Sequence, residues 1–182
     1  MEIEKLRREY ELAVDWRPFF LRPETPPEGL PLPAYIREKI KDPNEPLKLR
    51  AAREGLKMVR GERIWSTRRA HEAAEFARSR GKLEPMHAAL LRRHWEEGKD
   101  LYRMDVLRDA AVESGLDPDE LQRELERGTY KPAVDLAVQE AADLGIHAVP
   151  TFIFDDRLAV QGAQELPVFR MAMERLQAPR KA

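Results

Sequence analysis

The period of the apolar residues changes sharply at Gly145, and that change limits what this chain can fold into. From Pro46 to about Leu144 the apolar residues recur at helical spacing. After Gly145 the run Val149-Pro150-Thr151-Phe152-Ile153-Phe154 is β-branched and aromatic, too short for a helix, and reads as a buried strand. Asp155-Asp156-Arg157 supplies a tight turn, and Leu158-Ala159-Val160-Gln161 a second strand, so the pair is expected to form a hairpin. An amphipathic helix over Glu165 to Leu176 closes the chain, with Leu166, Phe169, Met173 and Leu176 inward.

The remaining segments are read in the same way. Met1 to Tyr10 spaces Ile3, Leu6 and Tyr10 on one helical face. Ala13 to Phe20 reads as a strand, and Pro18, which cannot donate to a ladder, places it at a sheet edge. Arg22 to Pro33, rich in proline and glycine, reads as a loop, followed by a helical patch over Ala34 to Lys41. Within the helical block, Leu49, Leu56 and Val59 suggest one segment. Four more run over Thr67 to Arg78, Pro85 to Glu96, Met104 to Ser114 and from Asp117-Pro118 to Gly128. Tyr130 to Leu144 is the last. Asp117 can cap and Pro118 suits a first turn, so that helix start is well specified.

Composition narrows the chemistry. The 182 residues contain no cysteine, which excludes disulfides, thiolate metal sites and cysteine nucleophiles within them. The net charge of -1 gives no whole-protein field toward nucleic acid or an anionic membrane, so neither is expected as a partner. A polar, acidic start and the lack of a long apolar run point to a cytoplasmic protein. A single asparagine among many charges is a thermophile-like pattern. His87 and His94 lie two turns apart on one helix without a third ligand, so no metal site is assigned. Val149-Pro150 is a candidate cis peptide that would turn the Val149 N–H and C=O toward an extended ligand backbone.

Val149-Pro150-Thr151-Phe152, followed by Ala159 to Gln164, resembles the C-terminal signature of DsbA-like thioredoxin-fold proteins. The resemblance is strongest to the FrnE-type branch, which is itself similar to 2-hydroxychromene-2-carboxylate isomerases and kappa-class glutathione transferases. Trp16-Arg17-Pro18-Phe19 with Pro26 to Gly29, Ser66 to His71, and Gly115-Leu116-Asp117 extend it over essentially the whole chain. It implies an α/β, thioredoxin-like fold with an inserted all-helical domain. On that reading residues 1–45 and 145–182 form the core and 46–144 the insertion.

It also implies thiol–disulfide chemistry on a protein or small-molecule substrate, with Val149, Pro150, Thr151, His71 and Trp16 as substrate-binding candidates. Family members carry a first strand and a Cys-x-x-Cys or similar motif that this sequence lacks, so no catalytic residue is assigned. Three accounts of that difference stand: Met1 as an internal methionine of a longer protein, a short protein whose sheet rearranges or whose gap is filled by another subunit, or an engineered omission. Under a glutathione-dependent isomerase or transferase reading, Ala163 and Gln164 would hold the glutathione γ-glutamyl end. A non-catalytic binding or assembly module, homo-oligomeric through an open sheet edge, is the remaining alternative.

Overall fold

The computed structural model describes residues 2–59 and 61–181. The chain divides into two compact units, residues 1–21 with 137–182, and residues 22–136.

In the first unit, α1 (Glu2–Glu9) places Glu2 and Glu4 in its first turn and Arg7 and Arg8 in its last, the arrangement that suits the helix dipole. Met1 of the expected helix lies outside the described residues. Ile3, Leu6 and Tyr10 are buried with Phe169, Ala172 and Met173 of α9 (Leu166–Leu176). Against this cluster pack Phe152 and Phe154 of β3 (Thr151–Phe154) and Leu158 and Val160 of β4 (Leu158–Gln161). β3 and β4 form the expected antiparallel hairpin, with Phe152 opposite Val160 and Phe154 opposite Leu158. Its turn is left-handed at Asp155 (φ 49) and Asp156 (φ 52), the backbone of a type I′ turn that aspartate tolerates better than most residues. The Phe152 ring meets Phe169 edge-on at 4.9 Å between centroids.

The strand expected over Ala13 to Phe20 is corrected. Residues 11–20 form no strand. They nevertheless keep a strand's alternation. Glu11, Ala13, Asp15 and Arg17 are exposed, while Leu12, Val14, Trp16 and Pro18 turn inward, and Leu12 and Val14 pack on the same cluster as the hairpin. Side-chain period follows from extended backbone, whereas a ladder also needs a neighbouring strand, and none lies alongside among the described residues.

In the second unit, α4 (Arg68–Arg78), α5 (Leu83–Trp95), α6 (Met104–Glu113) and α7 (Pro118–Arg127) share one core around Phe76, Met86, Leu107 and Leu121. Ala70, Ala73, Ala74 and Ala77 give α4 a small-residue face that lets the other helices approach closely. The Asp117 carboxylate accepts from Asp119 N–H at 2.8 Å and Glu120 N–H at 3.3 Å, and Gly128 ends α7 with φ 69.

Two further expectations need correction. The loop over Arg22 to Pro33 contains β1 (Leu30–Pro31), paired with β2 (Arg63–Ile64). That pairing joins residues too far apart in sequence for local spacing to reveal. Gly29, with φ +71, sits where an added Cβ would lie 2.7 Å from the Ile64 carbonyl oxygen and 2.8 Å from the Trp65 ring, so only glycine fits. The segment suggested by Leu49, Leu56 and Val59 is helical only over α3 (Pro46–Arg53). Gly55 in the left-handed region stops it before Leu56. α2 (Ala34–Lys41) and α8 (Lys131–Asp143) appear as expected. No helix among the described residues is long and apolar enough to cross a membrane.

Glu72 on α4 is 2% exposed, and burial raises its carboxyl pKa despite the opposing charges of Lys131, Arg68 and Arg69. A carboxyl whose pKa is raised by folding stabilises the fold below its unfolded pKa, and that contribution disappears as pH rises through the folded value. Glu72→Gln is therefore expected to raise the melting temperature by a few degrees at neutral pH. Thermal unfolding below the ordinary glutamate range should show no such gain. Gly29→Ala is expected to cost about 1–3 kcal/mol in urea unfolding, from its backbone strain and the clash with Ile64 and Trp65.

Candidate functional site

The most exposed apolar corner of the hairpin lies where α8 gives way to β3. Gly145 ends the helix with φ 67, and Ile146 N–H returns to the Ala141 carbonyl at 2.9 Å. The chain then runs through His147 and Ala148 to Val149 and Pro150, whose peptide bond is cis. Val149 is 48% exposed and Pro150 is also exposed. The strand regains the core at Phe152.

Two hydrogen bonds hold the corner. The Thr151 hydroxyl donates to the Ala148 carbonyl at 2.7 Å, closing a ring around Val149 and Pro150. Gly162 N–H donates to the Pro150 carbonyl at 2.8 Å, which extends the β3–β4 ladder by one pair. Leu144, 66% exposed, and Ile153, 41% exposed, flank the corner in sequence. Residues 144–154 contain no Asp, Glu, Lys or Arg, in a chain that is 36% charged. The surface is therefore apolar with an ordered backbone, suited to an extended chain and poorly suited to a strongly charged small molecule.

The expected site residues divide between the units. Val149, Pro150 and Thr151 are consecutive at the corner, and Trp16 lies half-buried on residues 11–20 of the same unit. His71 is half-buried on α4 of the other unit. Ala163 and Gln164 precede α9, which begins at Leu166 with Glu165 as its N-cap and no side-chain hydrogen bond to its first turn. The Gln164 amide nitrogen donates to the Gln161 carbonyl at 2.9 Å.

Sequence reasoning passed over Arg17 and Glu140, which form an ion pair beside the helix that leads into the corner. Their separation of 123 positions hides the pair from any local pattern. Among the described residues no group of three or more His, Asp or Glu could hold a metal ion.

Comparison with known proteins gives a consistent picture. The DSBA-like thioredoxin domain matches residues 1–174. The YwbO protein of Bacillus subtilis is 27% identical over 172 residues, covering 90% of this chain and 82% of that protein. The crystal structure of a candidate DsbA oxidoreductase from Streptomyces coelicolor superposes with TM-score 0.79 at 27% identity, covering 91% of this chain and 77% of that one. A candidate protein disulfide isomerase from Nitrosomonas europaea shares the fold, with TM-score 0.75 at 19% identity over 97% of this chain and 88% of that one.

Replacing the Thr151 hydroxyl by a methyl group removes the bond to Ala148 at nearly constant volume. Thr151→Val is expected to cost about 0.5–1.5 kcal/mol, read from the urea midpoint with an unchanged slope.

Proposed function

The chain belongs to the DSBA-like thioredoxin domain family, and from that premise we propose that it docks a thiol- or disulfide-bearing polypeptide along Val149-Pro150-Thr151 without exchanging disulfides itself. The observation that carries this reading is the corner: an exposed, uncharged ridge with Thr151 and Gly162 fixing its backbone. Binding an extended chain there uses main-chain hydrogen bonds for affinity and the Val149 side chain for fit.

Disulfide exchange requires a thiolate to attack one sulfur and displace the other as a thiolate. These 182 residues contain no thiol to begin that step. Exchange by these residues alone would use sulfur brought by the ligand. Trp16 is the aromatic candidate in the same unit for contact with the docked chain.

A second reading is glutathione-dependent isomerisation or transfer, in which glutathione supplies the sulfur. That reading places the γ-glutamyl end at Ala163 and Gln164, directly before α9. Isothermal titration separates this reading from the first: heat with glutathione but not with a cysteine-bearing peptide would select it.

Pure protein is expected to give no insulin reduction above the dithiothreitol background, and clear turnover would refute the redox-inactive reading. A fluorescent extended peptide with a blocked cysteine is expected to bind. Val149→Lys should weaken that binding about tenfold, roughly 1.4 kcal/mol, without changing the far-UV spectrum. Equal affinity for the two proteins would remove Val149 from the site.

A further inference from the structure

We propose that a cleft within the second unit binds a free α-amino acid with an aromatic side chain. The cleft has a volume of about 350 Å³. Trp65 and Val106 are its apolar lining, and Lys99, Asp100, Arg103 and Asp105 its charged lining. All of them belong to residues 22–136. Ligand sites span about 300–1,000 Å³, so this one suits a single small molecule.

Two of the four charged groups satisfy each other. Arg103 donates from Nε to Asp105 Oδ1 at 3.0 Å and from Nη2 to Oδ2 at 2.7 Å, which engages both carboxylate oxygens. Lys99 and Asp100 differ. Among the described residues neither forms an ion pair, and they do not pair with each other. The turn that carries them is ordered by its own hydrogen bonds. Lys99 N–H donates to the Arg93 carbonyl at 2.8 Å, and Tyr102 N–H donates to Asp100 Oδ1 at 2.8 Å. Asp100 Oδ2 keeps its acceptor capacity for a ligand.

Two unpaired charges of opposite sign in one cleft select the ligand by charge. A simple anion would meet Asp100 as well as Lys99, and a simple cation would meet Lys99 as well as Asp100, so each gains one attraction and one repulsion. A zwitterion gives each group an opposite charge. Lys99 and Asp100 are consecutive, so the two ligand charges must also lie close together. In an α-amino acid a single carbon separates the ammonium from the carboxylate. Trp65 and Val106 then set the side chain. The half-buried indole is held in place, with Arg63 over it at 5.6 Å from its centre and Gly29 against its edge. An aromatic side chain gains contact with such a ring beyond the burial of its area.

Isothermal titration of the full chain with L-phenylalanine is expected to give saturable heat. Phenylalanine amide lacks the carboxylate and 3-phenylpropanoate lacks the ammonium, and each should bind at least about tenfold more weakly. Lys99→Met keeps the aliphatic stem, and Asp100→Asn keeps an oxygen for the Tyr102 N–H, so each removes one charge and should weaken phenylalanine binding about tenfold at an unchanged melting temperature. The comparison of the three ligands uses the unaltered chain, so it decides the matter even where a substitution disturbs the turn. No saturable heat with millimolar L-phenylalanine would overturn the proposal. Equal affinity for 3-phenylpropanoate or for the amide would do the same, as would full affinity in both variants. Peptide docking at Val149 can fail without affecting this result.

Discussion

The contact between Phe152 and Phe169 fixes one side of β3 against α9, and much of the first unit follows from it. Successive residues of a strand alternate both in the face their side chains occupy and in the edge their amides serve. Setting Phe152 inward therefore also sets its amide toward β4, and sets Ile153 outward with its amide away from β4. A slip of one residue would expose two phenylalanines and bury Ile153 and the polar Thr151, so the aromatic contact resists it. The same parity leads the strand back to an exposed Val149, held by the bonds from Thr151 and Gly162.

The second unit rests on a different principle. Its helices are held by a core in which α4 contributes alanines and one large ring, Phe76. Arg80 lies over that ring, 3.8 Å from its centre, and is bonded to Glu120 and to the Tyr130 hydroxyl, so a charged side chain closes the edge of an apolar core. Glu72 departs from this pattern, a carboxyl buried on the alanine-rich helix at a cost in stability.

The family relation and the chemistry of this chain differ in emphasis. The match over residues 1–174 joins it to proteins named for disulfide chemistry, whereas its 182 residues contain no sulfur nucleophile. The site proposed for this chain is backbone geometry at the start of β3. The docking proposed above needs only that geometry, whether or not a thiol stands beside it.

Several features were legible from sequence because their causes are local. Asp117-Pro118 and Gly128 bound α7, the alanines mark the inner face of α4, and Asp155-Asp156 takes the turn between β3 and β4. The fold class followed from a resemblance spread over the whole chain, carried most by the run from Val149 to Phe152. Tertiary structure alone decided what depends on a distant partner. Residues 11–20 alternate as a strand yet form no ladder, because a ladder belongs to two segments and sequence spacing describes only one. The pairing of Leu30 with Ile64, the ion pair of Arg17 with Glu140 and the burial of Glu72 arise for the same reason: each joins or surrounds residues that only folding brings together.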